Sequence, residues 1–386
     1  MKKQRNGHPA LRRTLALAAA GLVLTVSWSA SAQEILPCSA AGAGQALLRS
    51  QLAGWAGLPS SALSAATVLT IQDNALLLEN RRAIQSSAAR TPSEQQTVPQ
   101  DSETHEGTVI EATEGENAAA AGASDNGVAA KTIHPTHPDG YLVWKNVYIK
   151  NTTAYTPDLN ALMQTRPAAV FTDEMPQILI LHTHGTEAYT MPHGQEYNTD
   201  GATRTTDTEY NVVRVGDEMA EVFEEAGISV LHDRTLYDAA GYSDAYDRAE
   251  TAIQNYLKKY PSIHFILDVH RDAIEDSAGT AYKVISQVDG QNAAQLSIVV
   301  GSDGSGLPHE HWRENLKLAV LLQQHVSEEY PTLMRPMYLR NSRYNGHATT
   351  GSLLVEVGAA GNSLDEALYA ARLFAGSVVE VLNELR

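Results

Sequence analysis

Residues 177–190 read QILILHTHGTEAYT: a run of apolar, β-prone residues that ends abruptly in two histidines, a glycine and a glutamate. The apolar part reads as a strand, and the polar cluster marks where it stops. Residues of this kind at a strand end can bind a metal, move a proton or simply shape a turn, so the rest of the chain has to choose among these roles.

Working outward from this strand, strand and helix signals alternate from residue 140 to the C-terminus. Further strand candidates are ISVLHD (228–233), HFILDVH (264–270), AYKVISQV (281–288), QLSIVVGS (295–302), PMYLRN (336–341) and SLLVEVG (352–358). Between them Val212, Val215, Met219, Val222, Phe223 and Ala226 recur at helical spacing, with Gly227 as a C-terminal stop. The last helix opens with Ser363 and Glu366 in capping-box register and buries Leu364, Ala367, Leu368, Ala371, Phe374, Val378, Val381 and Leu385. This alternation predicts an α/β fold: one domain over residues 140–386 with a largely parallel central sheet flanked by helices.

In open α/β sheets ligands gather beyond the carboxyl ends of strands, where loops are free to vary. His182 and His184 close the first strand, His270 closes HFILDVH, Glu356 interrupts the apolar SLLVEVG, and Glu209 begins the first strong helix after the loop GATRTTDT. Two histidines and a carboxylate from separate segments form the donor set of a catalytic zinc site with a fourth position for water. A further carboxylate that is not a ligand must then carry the proton, and Glu356 is the candidate, because burial in an apolar strand raises its pKa toward the working range. Taken singly, each residue has an ordinary reading. His182 and His184 alternate along a strand and point to opposite faces, so at most one is a ligand. His270 sits among Asp268, Arg271 and Asp272, a possible ion-pair cluster, and Glu209 suits a helix N-terminus electrostatically. Their joint occurrence at the right ends of the right elements strengthens the metal reading and leaves the ordinary readings open beside it.

The rest of the chain sets the context. A formal charge of -17 argues against a nucleic-acid partner. Residues 1–34 carry a basic flank, MKKQRNGHPALRR, and then an uncharged apolar run, which reads as an export segment, either a cleavable signal peptide or a retained membrane anchor. The basic flank keeps the N-terminus in the cytoplasm and sends the remainder outside. Residues 35–84 read as a partly helical juxtamembrane region. Residues 85–139, rich in Ser, Thr, Gln, Glu, Ala and Gly, read as a flexible acidic linker that cannot bury enough apolar surface to fold. Cys38 is the only cysteine, so any metal must be held by His, Asp and Glu.

The segments ILILHTHGTEAY, ILDVHRDA and LLVEVGAAGN, in this order, resemble those of the stage II sporulation protein P family of exported peptidoglycan hydrolases, which is similar in turn to zinc-dependent N-acetylmuramoyl-L-alanine amidases. The resemblance covers residues 140–386. It implies zinc ligands His184, Glu209 and His270, with Glu356 as general base and then acid, and leaves His182, Glu187 and Arg271 as secondary candidates. The long polar loop 189–208, with His193, is expected to line a groove for the glycan-peptide substrate. The resemblance further implies an amidase that thins the septal wall during engulfment, an added endopeptidase activity, sporulation proteins D and M as partners, and placement at the septal membrane of the mother cell. Two rivals stand beside it: a non-catalytic peptidoglycan-binding scaffold at the membrane, and a zinc carboxypeptidase acting on stem peptides.

Overall fold

Ten strands of three or more residues and five α-helices form the main elements of this computed structural model, which describes residues 108–109, 126–197, 203–275 and 281–386. The export segment, the juxtamembrane region with Cys38, and most of the acidic linker lie outside the described residues. Among the described residues no helix is long and apolar enough to cross a membrane.

The strands are β1 (Leu142–Trp144), β2 (Val147–Asn151), β3 (Ile178–Leu181), β4 (Val230–His232), β5 (Phe265–Asp272), β6 (Lys283–Val288), β7 (Gln291–Ala294), β8 (Leu296–Val300), β9 (Met337–Leu339) and β10 (Gly351–Ala359). Eight of them form one sheet in the order β1-β2-β9-β8-β10-β5-β3-β4. All its pairings are parallel except β1 with β2 and β8 with β10, so the largely parallel sheet expected from the strand-helix alternation is present. The antiparallel step between β8 and β10 divides the sheet by direction. Strands β4, β3, β5 and β10 all run one way, and their carboxyl ends lie together at one end of the sheet.

The helices are α1 (Leu159–Leu162), α2 (Val212–Glu225), α3 (Ala245–Lys259), α4 (Trp312–Glu329) and α5 (Leu364–Glu384). Helix α2 starts where Asn211 accepts a hydrogen bond from the Val213 N–H, and α5 carries the full capping box of Ser363 and Glu366. Alternation along the strands sorts side chains to two faces. Phe265, Leu267 and Val269 of β5 and Leu353, Val355 and Val357 of β10 join the large core that holds α2, α4 and α5. Ile266 of β5 and Leu179 and Leu181 of β3 meet Ala245, Ala249 and Ile253 of α3 on the other face. Asp268, His270 and Glu356 share the phase of Ile266 and therefore lie on the α3 face.

One boundary needs correction. Residues 126–139, assigned to the linker by composition, belong to the folded unit. Ala130–Lys131 pairs in parallel with Lys283 and Val284 of β6, Ile133 is buried and its N–H donates to Gln295 Oε1 at 2.7 Å, and the Asn126 amide donates to the Thr190 and Gly361 carbonyls. Strands β6 and β7 join this segment in a small separate sheet instead of extending the large one. Ile133→Ala should therefore destabilise the domain by about 2 kcal/mol, the cost of an emptied apolar site. Urea unfolding checks it, and an unchanged midpoint would place the segment outside the fold.

Candidate metal centre

Strand β3 stops at Leu181, and the next six residues fold into a tight turn braced by two buried carboxylates. Asp268 accepts from the Thr183 N–H at 2.8 Å and the Thr183 hydroxyl at 2.6 Å, while Asp238 accepts from the Thr186 N–H at 3.0 Å. The Glu187 N–H donates to the His184 carbonyl at 3.0 Å, closing the turn and bringing the two side chains together. Gly185 packs closely on Leu236: a Cβ there would lie 2.8 Å from Leu236 Cδ2 and 3.2 Å from the Leu236 Cα.

The turn faces His270 across the carboxyl end of β5. His184 Nδ1 lies 3.7 Å from Glu187 Oε1, and His270 Nδ1 lies 3.4 Å from Glu187 Oε2. One ligand atom from each of His184, Glu187 and His270 falls within 4.8 Å of the other two. Their exposures are 0%, 1% and 0%, so the donors are withdrawn from solvent. His270 Nε2 sits 2.9 Å from Asp268 Oδ1, which places a proton on Nε2 and leaves Nδ1 turned toward Glu187. A carboxylate gripping the far nitrogen of an imidazole is the usual support of a metal-ligating histidine, fixing its ring and raising its basicity. Two imidazoles and one carboxylate, converging and buried, fit a divalent metal ion.

The charges are mutually compensating. Burial opposes ionisation of Glu187, yet Arg271, His270 and His184 together hold its carboxyl well below the usual range. Burial likewise opposes an imidazolium at His270, but Asp268 and Glu187 outweigh it and raise that pKa well above the ordinary value.

The expected site residues divide as follows. His184 and His270 come together, and Glu187, previously a secondary candidate, is the carboxylate beside them. Glu209 is not brought into the group. It is exposed, its N–H donates to Asp207 Oδ1, and it precedes the α2 cap Asn211, outside the helix it was expected to begin. The spacing His-x-x-Glu across a glycine turn, 184 to 187, was the available signal. His182 points away from the centre: its Nδ1 meets the Val269 carbonyl at 2.8 Å, its Nε2 meets His232 Nε2 at 2.8 Å, and burial lowers its pKa to about 3. Arg271 is buried, donating to Glu187 and to the Ala188 and Thr203 carbonyls, so it ties loops together. His193 is exposed beside Glu196.

Glu356 is 2% exposed and stands opposite His270 in the β5–β10 register, on the same face of the sheet. Burial first, and then the neighbouring Asp272, push its carboxyl up to about 8. Asp272 is itself held by buried Arg335 at 2.6 Å. Just beyond, the pairing shifts register between Glu356 and Ala359, and Gly358 adopts a φ of 70°, a conformation open to glycine. Composition and spacing did not single out Arg335 or Tyr242. The Tyr242 ring stacks on His184 at 4.2 Å, with the Arg204 guanidinium 4.9 Å above the Tyr242 ring and bonded to Glu187 and Asp238.

Fold and site together define an α/β protein with a buried His-Glu-His centre at the carboxyl ends of parallel strands. Residues 59–379 match the stage II sporulation protein P (SpoIIP) family, and the chain belongs to that family. The stage II sporulation protein P of Bacillus subtilis (strain 168) is 27% identical over 233 residues, covering 58% of this chain and 54% of that protein, so the chain spans about half the length of this relative. Among solved structures, the CwlD amidase from Clostridioides difficile in complex with the GerS lipoprotein is 14% identical with a TM-score of 0.36, covering 54% of this chain and 99% of that one. The N-acetylmuramyl-L-alanine amidase Ami1 from Mycobacterium smegmatis is 14% identical with a TM-score of 0.33, covering 55% of this chain and 100% of that one.

Two outcomes follow from the geometry. Glu187→Gln should lower metal affinity at this centre by about 10-fold or more, whereas Glu209→Gln should leave it unchanged, as read by metal titration; the reverse pattern would restore Glu209 as the ligand. The second concerns pH. In metal-free protein burial pushes the Glu356 carboxyl up to about 8 from an ordinary value of 4.5. Because the folded value is the higher, its contribution to stability is complete below the unfolded value and is lost as pH rises through the folded one. Glu356→Gln should therefore flatten the decline of metal-free stability between these limits; identical wild-type and variant melting profiles across that window would contradict it.

Proposed function

We propose that the chain is a zinc-dependent peptidoglycan hydrolase that cleaves the amide joining N-acetylmuramic acid to the L-alanine of the stem peptide. The observation that carries this reading is the convergence of buried His184, Glu187 and His270 with Glu356 in register beside His270. Membership of a sporulation family supplies the setting.

His184, Glu187 and His270 would hold the zinc, which when bound supplies Lewis acidity toward the amide carbonyl and toward water. Asp268 fixes the His270 ring through Nε2 so that Nδ1 is presented to the centre. Glu356 takes the proton from the attacking water and delivers it to the departing amine of L-alanine, so one carboxyl serves as base and then acid. Its apolar strand setting and its neighbour Asp272 favour this, because a carboxyl pushed up to about 8 exchanges protons readily near neutral pH. Buried Arg335 holds Asp272 in place and so keeps the second carboxylate from competing for that proton.

The setting we infer is the septal wall during engulfment, with the N-terminal segment carrying the catalytic domain outside the cytoplasm and holding it at the membrane. Sporulation proteins D and M are the partners this reading entails, and cleavage of peptide cross-links is a second activity to be sought. Digestion of purified sacculi followed by mass spectrometry tests the proposal. Intact stem peptides should be freed from glycan, and Glu356→Gln should keep its zinc while losing product by about 100-fold or more. Release of terminal residues alone would point to a carboxypeptidase, and retained zinc with no product from the wild type would point to a wall-binding scaffold.

A further inference from the structure

A second group of imidazole and carboxylate side chains lies on helices α4 and α5, on the sheet face opposite the one that carries His270 and Glu356. His325 and Glu329 are one turn apart on α4, and Glu380 projects from α5. Residues four apart lie on one side of a helix, so the two α4 donors face the third across the helix seam. One ligand atom from each of the three lies within 4.8 Å of the others. His325 Nε2 is 2.9 Å from Glu380 Oε2, and the His325 side chain is 24% exposed against 62% for Glu380. Glu329 is held in turn by Ser377, a buried residue of α5 whose hydroxyl donates to Glu329 Oε2 at 2.9 Å.

We propose that His325, Glu329 and Glu380 form a second divalent-metal site that clamps α5 to α4. Two carboxylates meet here, and among the described residues no lysine or arginine forms a salt bridge with either. One imidazole can offset at most one of these charges, whereas a dication offsets both and ligates all three groups. The Ser377 hydroxyl fixes one ligating carboxylate from the neighbouring helix, the arrangement that outer partners of metal ligands provide. One nitrogen and two carboxylate oxygens suit zinc, cobalt or nickel better than calcium or magnesium, which favour all-oxygen shells. Solvent exposure leaves the remaining coordination positions to water. The ion would join the middle of α4's last turns to the end of the final helix. It takes no part in the hydrolysis proposed above, which uses the other centre.

Zinc itself is the probe, applied to the full chain and followed by metal count, calorimetric titration and thermal melting. The wild type should hold about two zinc ions per chain, and His325→Ala or Glu380→Gln about one, with release of stem peptides unchanged. Glu187→Gln should retain one zinc and gain melting temperature on zinc addition, and adding His325→Ala to it should remove both effects. Equal zinc binding by Glu187→Gln and by the double variant overturns the second site. Equal binding by the wild type and Glu187→Gln would instead count against the first centre, so the two failures are distinguishable.

Discussion

The arrangement depends on one buried anion. A carboxylate at 1% exposure, such as that of Glu187, is costly to keep ionised unless its surroundings repay the lost hydration. Here His184 and His270 approach it from two sides, the Arg271 N–H donates to one oxygen, and Arg204 reaches the other. Most other features near the centre keep these partners in place. Asp268 pins both His270 and Thr183, Asp238 pins Thr186, and Leu236 packs closely against Gly185. Since Asp268 and Glu187 favour a proton on His270, a metal ion entering the site must displace it, and metal uptake is coupled to proton release.

The sheet explains why the centre lies where it does. Because β8 runs against β10, strands β3, β5 and β10 bring their carboxyl ends together at one end of the sheet. Helices α2, α4 and α5 pack on one face and α3 on the other, and the strand phase that puts Val269 and Val355 into the large core puts His270 and Glu356 on the α3 side. Side-chain phase and strand direction together select which polar residues meet.

Much of this was legible because it is local. The ILIL strand, the capping box at Ser363 and the apolar stripe of α2 are each written in adjacent residues and are all present. His184 follows the end of β3, His270 lies near the end of β5 and Glu356 lies within β10 beside it. The third member of the group was harder to read, because two carboxylates competed for one place. Glu209 looked suitable by its position near a helix start, but the helix begins beyond it, and the backbone bond from Glu187 to His184 that closes the turn is a three-dimensional fact. The linker boundary failed for a different reason. Composition averaged over residues 85–139 hides Ala130–Lys131 and Ile133, whose order comes from pairing with β6 and Gln295 more than 150 residues away. Arg335 acts on Asp272 and Asp268 on Thr183, contacts between residues distant in sequence, which no spacing rule exposes.

The most direct test of the central claim is anomalous diffraction at the zinc absorption edge from crystals of the zinc-loaded protein. The account predicts a peak enclosed by His184, Glu187 and His270, with Glu356 beside it and not bonded to the metal. A peak ligated by Glu209, or crystals at full zinc loading with no peak among these three residues, would contradict it.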